Sequence, residues 1–321
     1  NHLLDQDLDL LEERYHKLKD QLRLCLTNLV MFPKDAVQKK RYTIYGWIGN
    51  NYIRKTEEKT AEEVGEEVID EFLKLNMIVP YGNAKCPLVN KFQIHPHIGP
   101  LSGLYFGHFW VTQVVVLDQQ KVMLGDEAAW INAQSITHIF NIGASYLNFQ
   151  SQWLSKSKRM SLKVLQLGRW QDSPSHHIEV GSQEFLKDFR DLHSLLYISL
   201  RGISRISELP PSITQLWNLQ ILDLKACHNL ETLPNDISSM QSLTHLILSQ
   251  CYLLDAMPKG IETLTNLQVL KGFVIGNPKK TPCRISDLAN LKELRRLSIH
   301  IGLEAVIKDG EFEKFERVVS T

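Results

Sequence analysis

One stretch constrains the fold of this chain more than any other: Leu192 to Leu264 superimposes on itself in three rows spaced 24 residues apart. The first row reads Leu192, Leu195, Ile198, Leu200, Ile203, Ile206, Leu209-Pro210, Ile213. The second reads Leu216, Leu219, Leu222, Leu224, Cys227, Leu230, Leu233-Pro234, Ile237, and the third Met240, Leu243, Leu246, Leu248, Cys251, Leu254, Met257-Pro258, Ile261. Within each row the first apolar positions alternate as they do in a strand, so the leucines point one way and the residues between them the other. A single row cannot bury its own apolar side, so neighbouring rows must stack to make a core.

The spacing is that of LxxLxLxx(N/C)xL, the leucine-rich repeat. Weaker versions of it flank the regular rows. Upstream, Val111–Leu117 and Ile136–Ile142 read as strands and Leu162, Leu165 and Leu167 as a full rung; residues 168–182 read as an insertion on the solenoid. Downstream, Leu264, Leu267 and Leu270 are followed by a polar loop, and then by Leu291, Leu294, Leu297 and Ile299. Thr321 comes without an obvious polar cap, which predicts further repeats in a longer parent, as the start at Asn1 predicts an internal fragment.

The first hundred residues follow a helical period instead. Leu11, Tyr15, Leu18, Leu22, Cys25, Leu26 and Leu29 predict one amphipathic helix over 9–29, ended by the Phe32-Pro33 turn. A second helix is predicted over 39–52. A third starts at Thr60, where Glu63 completes a capping box, and buries Val64, Val68, Ile69, Phe72 and Leu73. Met77–Val79 and Phe92–Ile94 read as strands around a turn at Tyr81-Gly82-Asn83, and Gly99–Gly103 as a break between units. Three helices and a hairpin make a winged helix. The predicted fold class is α/β: a helical winged-helix domain at 1–98, irregular first repeats and linker at 99–160, and an open leucine-rich-repeat solenoid at 161–321. Its parallel β-sheet lies on the concave face, and its regular repeats span 192–264.

Composition narrows the function. With 36 Lys and Arg against 36 Asp and Glu the chain is neutral, and 43% hydrophobic residues suit a globular protein. The third helix carries Glu62, Glu63, Glu66, Glu67, Asp70 and Glu71, a face that phosphate repels, so nucleic-acid binding is not expected. No apolar run reaches the roughly 20 residues of a membrane span. Cys25, Cys86, Cys227, Cys251 and Cys283 form no secreted disulfide framework. Cys227 and Cys251 stand on adjacent rungs, a spacing that permits a disulfide but suits buried reduced thiols better. His95 and His97 with Cys86 are too few ligands for zinc, and a structural hairpin is preferred. There is no Gly-x-Ser-x-Gly elbow and no phosphate loop, so neither catalysis nor a cofactor in this chain is predicted.

Both halves resemble plant NLR disease resistance proteins (intracellular, nucleotide-binding, leucine-rich-repeat receptors) of the coiled-coil class. Leu11, Tyr15, Leu18 and Leu22 are similar to their LSYxxLPxxLK stretch, with Arg14 for Ser. Phe32-Pro33-Lys34-Asp35 is similar to their FPED turn, the 45–53 segment to LWIAEGFI, and Ile94-His95-Pro96 to Met-His-Asp. The resemblance implies a cytoplasmic immune receptor that recognises a pathogen effector or a guarded host protein, with the repeats able to dock on the winged helix in an off state. It also implies that ADP or ATP enters only if a nucleotide-binding domain lies upstream. His95 would keep a vestigial nucleotide contact, since Pro96 replaces the acid. An adaptor such as a ubiquitin-ligase substrate receptor is the alternative. The candidate partner-binding residues are the outward ones on the concave face: Lys163, Arg169, Tyr197, Arg201, Lys225, His245, Lys271, Phe273, Arg295 and Arg296. They are mostly basic, which suits an acidic partner.

Overall fold

The computed structural model describes residues 2–82, 89–98, 114–124, 136–150, 153, 161–173, 175–308, 310, 311 and 313. The chain divides into two compact units between residues 112 and 113. The Gly99–Gly103 break and Cys86 lie outside the described residues, as do Val111–Gln113, Asn83 and Thr321.

The first unit opens with two helices where the apolar period predicts one: α1 (His2–His16) and α2 (Asp20–Val30). The chain steps out of helical geometry at Lys19, whose ψ is 152°. Leu18, Cys25, Leu26 and Leu29 are all buried, so the three-and-four spacing runs through the break without marking it. After β1 (Gln38–Lys39) come α3 (Lys40–Gly49) and α4 (Ala61–Lys74). The capping box on α4 forms as its sequence predicts: Thr60 Oγ1 accepts from the Glu63 N–H at 3.2 Å, and Glu63 accepts from the Thr60 N–H at 2.7 Å. Arg14 donates to the Leu75 carbonyl at 2.9 Å, which ties α1 to the end of α4. The wing is β2 (Ile78–Pro80) against β3 (Lys91–Ile94), antiparallel, with Ile78 opposite Ile94. The two-residue β1, too short to leave a pattern, pairs with the other edge of β3.

The second unit repeats a rung. Its first three rungs each carry two strands: β4 (Val114–Leu117) with β5 (Lys121–Leu124), β6 (His138–Asn141) with β7 (Tyr146–Phe149), and β8 (Val164–Gln166) with β9 (Glu179–Val180). Later rungs carry one, β10 (Tyr197–Ser199), β11 (Ile221–Asp223), β12 (His245–Ile247), β13 (Val269–Ile275) and β14 (Arg296–Ile301). Short 3₁₀ turns such as Pro211–Gln215 replace the second strand. Eight strands form one parallel sheet in the order β14-β13-β12-β11-β10-β8-β6-β4, and β5-β7-β9 form a second. The predicted leucines of all three regular rows are buried between the layers in one continuous core. Each such side chain is worth roughly 1.5–3 kcal/mol relative to exposure. The Cys227 and Cys251 thiols are free, and each donates to a carbonyl of the preceding rung, Leu200 and Leu224, at 3.1 Å. They bridge rungs as hydrogen-bond donors, and burial pushes the Cys251 thiol up to about 12.

Candidate recognition surface

The parallel register stacks outward side chains into two ladders along the sheet. One runs Val164, Tyr197, Ile221, His245, Val269, Arg296. The other runs Gln166, Ser199, Asp223, Ile247, Lys271, Ser298. Their exposure differs from what direction alone suggests. Tyr197, Arg201, Lys225, His245 and Arg169 are buried, and Lys271 is half-buried. Lys163 is exposed, but it precedes β8, and its carbonyl accepts the Leu196 N–H at 2.8 Å. Arg295 and Arg296, at the β14 edge, keep access to solvent.

Phe273 does not belong to this face. It is fully buried in the core. The register slips between Lys271 and Phe273, and the extra residue, Gly272, has φ +79°. This β-bulge turns Phe273 inward to the place the third leucine takes in other rungs.

The central cations meet carboxylates of the chain itself. Arg201 Nη2 and Lys225 Nζ both donate to Asp172 Oδ1, at 2.8 and 2.9 Å. Asp223 lies beneath, its Oδ1 accepting the Lys225 backbone N–H at 3.0 Å. Burial raises the Asp223 carboxyl above the usual range, against the pull of Arg201, Lys225 and Arg169. Burial likewise raises the Tyr197 hydroxyl, and the nearby Asp223 adds to the shift. Arg169 Nη1 donates to the carbonyls of Ser173 and, at 2.7 Å, His176. Gly202 makes room for it, because a Cβ there would stand 2.7 Å from Arg169 Cδ. Asp172 sits in the 168–182 insertion, where no periodic signal in the sequence could pair it with rungs 29 and 53 residues away.

The same insertion walls a cleft of 140 Å3 against the Asn141–Ser145 turn. Trp170 anchors the insertion there, its Nε1 donating to the Ile142 carbonyl at 2.9 Å.

His95, in the first unit, directly follows β3. Its N–H donates to the Met77 carbonyl at 2.9 Å, and its own carbonyl accepts from the Ile98 N–H at 3.0 Å. The His97 ring meets the His95 ring edge-on at 5.3 Å. Among the described residues no group of three or more His, Cys, Asp or Glu side chains could hold a metal ion. No helix among them is long and apolar enough to cross a membrane.

The model for a leucine-rich repeat region matches residues 145–318, more than half the chain. The chain belongs to that family. Residues 31–101 match the winged-helix domain of disease resistance proteins. Together they make the winged-helix and repeat portion of a plant NLR-type protein. A curated relative, disease resistance RPP13-like protein 4 of Arabidopsis thaliana, is 24% identical across 96% of the chain. The chain spans only 36% of that relative's length. Among solved structures, a TDR receptor is 20% identical over 59% of this chain and 31% of its own, with TM-score 0.41. The repeat domain of the type III effector XopL is 13% identical over 84% and 86%, with TM-score 0.28. Similarities this weak bear on neither fold nor function.

Proposed function

We infer that this chain is the sensing portion of a plant disease resistance receptor, and that it binds a pathogen effector or a guarded host protein through the outward face of its sheet. Binding there releases the receptor from its resting state, with the winged helix as relay, in the cytoplasm. The observation that carries this reading is a winged helix of the disease-resistance type on the same chain as an eight-stranded parallel sheet with solvent-accessible basic residues on β14. On that strand and just before it, His300 and Arg295 are exposed and Arg296 is half-exposed. Rim cations of this kind steer an acidic partner and set its register. The role involves no catalysis: Cys25, Cys227 and Cys251 are buried in apolar rows, their thiols raised by burial away from the reactive range. Nucleotide, in this reading, is handled elsewhere in the receptor, since the chain contains no phosphate loop.

The test reverses the edge charge. Plants carrying the whole receptor with Arg295→Glu and Arg296→Glu lose the resistance that the unaltered receptor confers, at equal protein level. Resistance retained against every isolate tested removes this face from recognition.

A further inference from the structure

The 168–182 insertion does more than decorate the third rung. Leu167 to Ile178 spans eleven residues, whereas Leu200 to Ile203, the matching step of the next rung, spans three. Both ends of the insertion stay fixed to that next rung: Arg169 N–H donates to the Arg201 carbonyl at 2.8 Å, and Ile178 N–H to the Gly202 carbonyl at 2.9 Å. Between them Arg169 holds the insertion to itself and Trp170 holds it to the preceding turn. At its middle Asp172 reaches over two successive rungs, to Arg201 on one and Lys225 on the next.

We propose that this insertion is a strap whose Asp172 acts as an internal stand-in for an acidic side chain of the partner, so that a Glu- or Asp-rich peptide segment binds the sheet by displacing it. The chemistry is that of a carboxylate site. A guanidinium and an ammonium, one rung apart, converge on a single carboxylate oxygen, an arrangement that any Glu or Asp of a peptide reproduces. The two cations are buried, their side chains 3% and 9% exposed, while Asp172 is 30% exposed. The removable partner is thus the one nearest water. When Asp172 leaves, Asp223 stays beside both cations, but one buried carboxylate then faces the three charges of Arg169, Arg201 and Lys225, an excess that burial disfavours. Strap opening is therefore coupled to the arrival of another carboxylate. The strap and the ligand exclude each other, and apparent affinity falls by the fraction of molecules with the strap open. The sheet is in this way protected from weak acidic peptides and open to one that adds contacts, such as those available at Arg295 and Arg296. The inference rests on the recognition role proposed above, but it is tested separately from it.

The experiment uses the full 321-residue chain and a polyglutamate peptide as probe. Asp172→Asn keeps the side-chain shape and removes the competing charge. It binds the peptide about tenfold tighter than the unaltered chain, as expected when a closed state is largely abolished. Adding Arg201→Gln and Lys225→Gln cancels the gain. In the unaltered chain, saturating peptide speeds amide exchange across 169–178, a readout that needs no variant to fold. The strap is overturned by equal affinity of the unaltered and Asp172→Asn chains, by a gain that survives loss of both cations, or by unchanged exchange over 169–178 at saturation. Peptide binding that ignores Asp172, Arg201 and Lys225 but disappears with Arg295→Glu and Arg296→Glu keeps the recognition face and removes the strap. No binding to either form removes the strap as well.

Discussion

His138 shows at the level of one residue what burial in the sheet does. It begins β6, stacks on Phe140 at 6.0 Å and 18°, and its Nδ1 lies 2.7 Å from Thr137 Oγ1. The rung at β12 repeats the contact, with Thr244 Oγ1 2.8 Å from His245 Nδ1. Burial lowers the His138 pKa to about 4, and Lys163 on the next rung adds to the shift. The folded chain therefore holds the ring neutral at a pH where the unfolded chain, with an ordinary value near 6.5, takes a proton. Stability from this site is complete above about 6.5 and is lost as pH falls toward 4. The loss reaches roughly 3 kcal/mol at pH 4. His138→Gln, which cannot charge, should lose that much less than the unaltered chain when urea unfolding is compared at pH 7 and pH 4; identical losses would rule the ring out. The sequence pattern places such residues on the outward side, because strand alternation sets direction. It is silent on cover. Arg201 and Lys225 point outward as the pattern predicts, yet an aspartate on a non-repeating insertion pairs with both.

At the scale of elements, repetition is what the sequence makes legible. The three regular rows, the α4 capping box and the hairpin all fall where spacing and caps put them. Three features escape it for separate physical reasons. The α1–α2 break preserves the apolar period. The β5-β7-β9 sheet has strands of two to four residues in rungs of unequal length, so no repeat signals it. The bulge in β13 falls at Gly272, where the repeat pattern loosens; a lone glycine in a strand often marks a bulge, but it does not say which way the next side chain turns. That glycine is required: at φ +79° an added Cβ would stand 2.6 Å from the Leu248 carbonyl carbon and 2.7 Å from its oxygen. Both the left-handed backbone and the crowding oppose any side chain. Gly272→Ala should cost about 1–3 kcal/mol, from a strained backbone conformation plus displacement of the neighbouring rung. A urea midpoint unchanged from that of the parent chain would mean that β13 can re-register without its bulge, returning Phe273 to the outward face.

On the scale of the whole molecule, the order of the two units is written in motifs, since each carries its own period. The stability of the second unit follows from its topology, not from any one motif. Each strand of the large sheet pairs only with the strand before and the strand after it, so stability is a sum of rungs and nearest-neighbour interfaces. Leu222, on β11, is buried between Ile198 and Leu246 in register and supports an interface on both sides. Leu297, on the edge strand β14, faces Leu270 alone and is only half-buried. Truncating a buried leucine to alanine costs about 2–5 kcal/mol, with the upper part reached where the surroundings cannot collapse. Leu222→Ala should therefore speed amide exchange from β10 through β13 and lower the unfolding midpoint of the whole repeat unit. Leu297→Ala should speed exchange in β13 and β14 and leave β10 and β11 as they were, because an end rung can fray without releasing its distant neighbours. If both variants instead accelerate exchange uniformly along the sheet, the rungs unfold together. An edge contact such as Arg296 would then be coupled to the strap at Asp172 through the full length of the solenoid.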